Sequence, residues 1–119
     1  MSGISTGKEG ENLAVNFLRN IGYKILEKNY RFGHGEIDII AEDSRTLVFV
    51  EVKYRKSLKY GHPEDAVTKR KISQIKKIAE AYLSENQIYG RECRLDVIAI
   101  LKSYSGKHEI THYKNIGLI

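Results

Sequence analysis

An unbroken apolar run, Leu47-Val48-Phe49-Val50, leads directly into Glu51-Val52-Lys53. Consecutive β-branched and aromatic residues leave no polar side for a half-exposed strand. They predict a strand covered on both faces, as at the centre of a sheet. Strand side chains alternate, so Glu51 and Lys53 point one way at the end of this strand and Val52 points the other. A sheet covered twice needs a layer on each side. A chain of 119 residues with 41% apolar content has the material for one such core, in a single domain over residues 1–119.

The flanking sequence supplies the layers. Residues 6–21 predict a helix. Thr6 and Glu9 have capping-box spacing, and Leu13, Ala14, Phe17, Leu18 and Ile21 form its apolar stripe, with Gly22 as the stop. Glu11 borders that stripe, an odd place for a carboxylate without a partner. Strands follow at 23–31, 36–42 and 46–54, separated by Gly33-His34-Gly35 and Asp43-Ser44-Arg45. Residues 55–63, with Gly61 and the lone Pro63, read as a loop. A second helix is expected over 64–85, its stripe being Ile72, Ile75, Ile78, Ala79, Tyr82 and Leu83. A fourth strand over 92–101 places Leu95, Val97, Ala99 and Leu101 on one face, and a fifth is expected over 108–115. The order α-β-β-β-α-β-(β) predicts an α/β fold, one mixed sheet with a helix against each face.

Charge adds a possible partner. The chain carries a net +5, yet residues 53–77 hold nine basic residues against Glu64 and Asp65. Such an excess attracts a phosphate backbone, and a solvated helix face accounts for it equally well. No apolar run approaches the ~20 residues of a membrane span, and the N-terminus lacks the pattern of a secretory signal. Cys93 is the lone cysteine, so no internal disulfide forms and a cytoplasmic location is expected.

The chemistry concentrates at Gly35-Glu36-Ile37-Asp38, twelve residues before Glu51-Val52-Lys53. A turn near 43–45 sets Asp38 close to opposite Glu51, where cross-strand Cβ atoms are roughly 4.5–5.5 Å apart. Two carboxylates at that distance repel unless a cation lies between them or one is protonated. Mg²⁺ or Mn²⁺ resolves the repulsion. Mg²⁺ takes one or two carboxylates and completes its shell with water and phosphate oxygens. The Val52 carbonyl is a further candidate ligand, Glu11 a candidate for the ion or its water shell, and Lys53 a candidate to orient water or balance charge. The same spacing is compatible with a Glu51–Lys53 ion pair on an edge strand and a solvated Asp38. The histidines His34, His62, His108 and His112 lack a compact ligand pattern.

Gly35-Glu-Ile-Asp-Ile-Ile-Ala41 with Phe49-Val-Glu-Val-Lys-Tyr-Arg55 resembles the bacterial UPF0102 (YraN-like) family. So do Gly7-x-x-Gly10-Glu11, Leu18-x-x-x-Gly22-Tyr23, Asn29-Tyr-Arg31 and Arg94-Leu95-Asp96. That family is placed in the PD-(D/E)XK restriction-endonuclease-like superfamily, beside archaeal Holliday-junction resolvases. Here Gly-Glu-Ile-Asp stands for the literal Pro-Asp, and the aspartate is retained. The resemblance implies an αβββαβ core, an ion held by Asp38 and Glu51, Lys53 as catalytic lysine, and Glu11 as accessory carboxylate. The Asp38, Glu51 and Lys53 set beside the basic segment makes an endonuclease acting on DNA, in preference to RNA, the leading expectation, with a structure-specific, resolvase-like substrate left open. Resolvase-like relatives often work as dimers, which leaves a homodimer open. A binding module of nuclease fold without turnover, or a subunit that needs a partner, are the rival readings. Arg55 could meet a phosphate bidentately. Arg31 has a weaker claim of that kind. Lys56, Lys69, Arg70 and Lys71 are further backbone-binding candidates, the last three expected on the solvent side of the second helix. Tyr54 and Tyr60 could stack on bases, although packing suits Tyr54 better. Asp96, among apolar residues, is expected to pair with Arg94 or another base.

Overall fold

A computed structural model describes residues 2–118, and the side chains of residues 7–117. Helix α1 (Ser2–Asn20) is followed by strands β1 (Lys24–Phe32), β2 (Gly35–Asp43) and β3 (Thr46–Arg55). A 3-10 turn (Pro63–Ala66) precedes helix α2 (Lys69–Glu85), and strands β4 (Cys93–Lys102) and β5 (His108–Leu118) complete the chain. The strands form one sheet in the order β1-β2-β3-β4-β5. All neighbours are antiparallel except β3 and β4, which are parallel. Parallel neighbours need a long crossover, and the segment carrying α2 supplies it.

The Leu47–Val50 run behaves as its composition requires. β3 is the middle strand, and its residues divide between two cores. Val48 and Val50 join Ala14, Val15 and Leu18 of α1, together with Ile39, Ala41, Ile98 and Ile100. Leu47 and Phe49 join Ile75, Ile78 and Ala79 of α2, with Ile40 and Leu95. One helix therefore covers each face, and Glu51 and Lys53 stand on a central rather than an edge strand, where they do pair with each other.

Some expectations change. Helix α1 begins by Ser2 rather than at residue 6, and the side chain of Thr6 lies outside the described ones, so its capping box is not described. Val15 takes the buried place expected of Ile21, which is 45% exposed just past the helix end. Gly22 stops the helix as expected: its φ of +95° lets the Tyr23 amide reach back to the Leu18 carbonyl at 2.9 Å. The helix expected over 64–85 is two elements. Thr68 is extended and its hydroxyl accepts from the Lys71 amide at 3.2 Å, so α2 starts afresh after the turn that Pro63 opens. Strand β4 is buried on both faces rather than one: Leu95 serves the α2 core, and Ile98 and Ile100 the α1 core. The reason is its place beside β3, inside the sheet.

Candidate active site

The β2–β3 ladder runs from Asp43↔Thr46 to Ile39↔Val50 and stops there. Asp38 and Glu51 are the next pair in that register, at the point where regular pairing ends. The Val52 amide donates instead to Asp38 Oδ2 at 2.8 Å. A side chain thus takes the place of a ladder carbonyl, which pins the Asp38 head group against β3. Asp38 and Glu51 are near enough for the Glu51 charge to act on the Asp38 carboxyl.

Glu51 is one of two buried charged side chains among the described residues, at 3% exposure. It continues the Leu47–Phe49 side of β3, facing α2, and its Oε2 lies 3.4 Å from both Lys53 Nζ and Lys71 Nζ. Lys71 was expected on the solvent side of α2. It turns inward because it sits in the first turn of a helix whose start, after Thr68, falls beside Glu51.

Asp38 lines a cavity of about 320 Å³ with Gly7, Gly10, Glu11, Glu36, Val52 and Tyr54. Gly10 is what lets α1 come this close: a Cβ there would sit 3.0 Å from Tyr54 Cβ. The approach brings Glu11 into the cavity wall, as its place beside the apolar stripe suggested. Asn29, left-handed at φ +56°, donates through Nδ2 to Glu11 Oε2 at 2.9 Å and to Glu36 Oε1 at 2.7 Å. One amide group thereby holds two carboxylates at the cavity edge.

The electrostatics follow from this crowding. Burial, then the Glu51 charge and a hydrogen bond shared with Glu51, push the Asp38 carboxyl up to about 8. The Val52 amide opposes the rise, and Glu36 adds to it. Carboxyl groups crowded in this way need a proton or a positive charge between them.

That need is also the test of fit for a metal. Among the described residues no three His, Cys, Asp or Glu side chains are grouped to hold an ion. An ion here would rest on two carboxylates, completed by backbone and water, which is the donor set Mg²⁺ accepts. Asp38 and Glu51 fit it.

The remaining predicted residues are less concentrated. Arg55 is half-buried at the end of β3, and Lys56 is exposed just beyond it. Lys69 and Arg70 are exposed on the first turn of α2. Arg31 is exposed and its Nε lies 3.6 Å from Glu36 Oε2. Tyr54 packs against Gly10 and the α1 core, and its hydroxyl meets His108 Nε2 at 3.1 Å. Tyr60 is exposed beside Lys59. Sequence reasoning gave no site role to Asn29 or Glu36. An asparagine inside a predicted strand was the available signal, because Asn tolerates a left-handed backbone better than other residues.

Asp96 is the other buried charge, at 0% exposure. It pairs with Arg94 at 3.0 Å, as expected, and also with His112 Nε2 at 2.7 Å and the Asn115 amide at 3.0 Å.

Comparison with known proteins is uniform. Residues 10–100 match the model of "Uncharacterised protein family UPF0102". A UPF0102 protein of Beutenbergia cavernae is 40% identical over 111 residues, covering 93% of this chain and 94% of that protein. One from Persephonella marina is 48% identical over 109 residues, covering 92% and 90%. One from Geotalea daltonii is 49% identical over 109 residues, covering 92% and 86%.

Proposed function

The chain belongs to the uncharacterised protein family UPF0102, and we propose that it is a Mg²⁺- or Mn²⁺-dependent endonuclease that hydrolyses phosphodiester bonds in DNA. The observation that carries this reading is the placement of two carboxyl groups, Asp38 and Glu51, as the next register pair where the β2–β3 ladder ends, with Asp38 held against β3 by the Val52 amide at 2.8 Å. Strand order and helix placement are compatible with a restriction-endonuclease-like αβββαβ core, which supports it by analogy.

Asp38 and Glu51 would hold the ion, with the Val52 carbonyl as a further oxygen. A bound divalent ion supplies an activated water and stabilises charge on a phosphoryl oxygen. Glu11, on the wall of the Asp38 cavity, would orient the water shell. Lys53, 3.4 Å from Glu51, is placed to turn toward the attacking water or the charge that develops on the phosphate. Lys71 balances the same carboxylate from α2. Arg55, Lys56, Lys69, Arg70 and Arg31 would meet the backbone of the bound strand. The unpaired Cys93 favours action in the reducing cytoplasm. Among the described residues no helix is long and apolar enough to cross a membrane.

The test is a panel of linear, nicked, flapped and four-way DNAs, with RNA, in Mg²⁺, Mn²⁺ or chelator. Cleavage is expected with the ions and not with chelator. Asp38→Ala, Glu51→Ala and Lys53→Ala should each lower it by about a hundredfold or more. Cleavage unchanged in Asp38→Ala and Glu51→Ala would overturn the reading. One observation favours a second reading, a nucleic-acid-binding module without turnover: two lysines already balance Glu51. Salt-sensitive binding with no cleavage under any ion would select it.

A further inference from the structure

Between the β1–β2 turn and α2 runs a groove of about 450 Å³, on the α2 side of the sheet. Phe32 and His34 line one wall, Lys71 and Lys77 the other, with Ile78 below and Glu36 at one end. Its size falls within the ~300–1,000 Å³ of sites that take small molecules. Phe32 is 50% exposed and stacks on no other ring among the described residues. A half-exposed phenyl ring that shares a groove with Lys71 and Lys77 is complementary to a flat apolar ring tethered to a phosphate.

The groove borders the carboxylate site. Lys71 lines it and also lies 3.4 Å from Glu51. Glu36 borders both the groove and the cavity of Asp38. The β1–β2 turn lies against α2, where a Cβ on Gly35 would meet the Ile78 side chain.

We propose that this groove holds an unpaired nucleotide of the bound strand, its base stacked on Phe32 and its phosphate between Lys71 and Lys77. The proposal deepens, and rests on, the nuclease reading, because it assigns that site a substrate with a locally opened strand. A base inside a duplex already stacks on its neighbours and has no free face to offer a side chain. Phenylalanine stacks on any base without a hydrogen bond, so recognition is of strand opening rather than sequence.

The protein has no tryptophan, so Phe32→Trp introduces a single fluorescent reporter at the proposed contact. Titration is done in chelator with single-stranded thymidine oligonucleotides of about ten nucleotides, the RNA counterpart, and a blunt duplex. Quenching by the single strands and little by the duplex is expected, and the DNA and RNA arms rank the two sources. Phe32→Ala, checked for folding by circular dichroism, should weaken single-strand binding about tenfold by anisotropy. Lys77→Ala should lower the salt slope by about one. Equal quenching by duplex, no quenching at all, or undiminished binding by Phe32→Ala would overturn the proposal. Because these readouts need no metal, Phe32-dependent binding without cleavage would sink the nuclease reading and leave the groove. Cleavage with Phe32-independent binding would do the reverse.

Discussion

Glu51 and Asp96 are the buried charges among the described residues, and they sit on adjacent central strands one step apart in register, Glu51 beside Val97 and Asp96 beside Val50. Their surroundings are opposite in kind. Asp96 faces donors: Arg94, His112 and the Asn115 amide converge on it, and Tyr23 adds its hydroxyl at 3.4 Å. Burial alone would raise its pKa. The hydrogen bonds from His112, Arg94 and Asn115, with the Arg94 charge, outweigh that and hold the carboxyl below its ordinary value. Glu51 faces two lysines and also a second acid, Asp38, whose pKa is raised. A saturated carboxylate strengthens a fold. Two crowded carboxyls cost stability unless a proton or a positive charge lies between them.

The sharpest way to break the comparison is to remove each acid. Asp96→Ala leaves the half-buried Arg94 with one partner fewer and strips His112 and the Asn115 amide of their acceptor, and should cost about 3–5 kcal/mol of stability by denaturant unfolding. Removal of Asp38 forfeits the Val52 bond but relieves the crowding, and should cost no more than about 1 kcal/mol in metal-free protein. If both losses were equal, the two sites would be the same kind of structural pair.

A divalent ion sharpens it next. Ion bound to the folded state alone stabilises by about 2.7 kcal/mol at a hundredfold excess over Kd. Mg²⁺ or Mn²⁺ should therefore raise the Tm of the wild type and of His112→Gln, and leave that of Asp38→Asn or Glu51→Gln in place. An ion-dependent shift that survives both carboxylate substitutions would locate the ion elsewhere.

The two sites also differed in how far they could be read from sequence. Leu47–Val50 announced the central strand, and turn residues at 43–45 fixed the register that sets Asp38 opposite Glu51. These are short-range signals, carried by periodicity and one hairpin. The inward Lys71 was not legible, because it depends on Thr68 restarting α2 rather than on the helical stripe. His112 and Tyr23 reach Asp96 across 16 and 73 residues of chain, and no local pattern encodes such meetings. Arg94, two residues away on the same face of β4, was the one partner spacing could supply. The Asn29 clamp on Glu11 and Glu36 depends on a left-handed residue inside β1, where a regular strand would have turned the side chain elsewhere.

The smallest expected effect is one of pH, and its sign differs between the acids. Asp38 has a carboxyl pKa of about 3.9 when unfolded and about 8 when folded. Between those values the folded chain holds the extra proton, so its contribution to metal-free stability falls as pH rises through that window. Asp96 is the converse: its depressed pKa contributes stability above about 3.9 that is lost as pH falls through the folded value. Asp38→Asn should thus match the wild type near the acid end of the window. It should exceed it by about 1–2 kcal/mol, or several degrees in Tm, at the alkaline end. The asparagine amide can donate to Glu51 while its carbonyl still accepts the Val52 amide, so the substitution supplies permanently what the proton supplies only at lower pH. A wild type whose Tm is flat across the window, with Asp38→Asn running parallel to it, would mean that the two head groups do not share a proton.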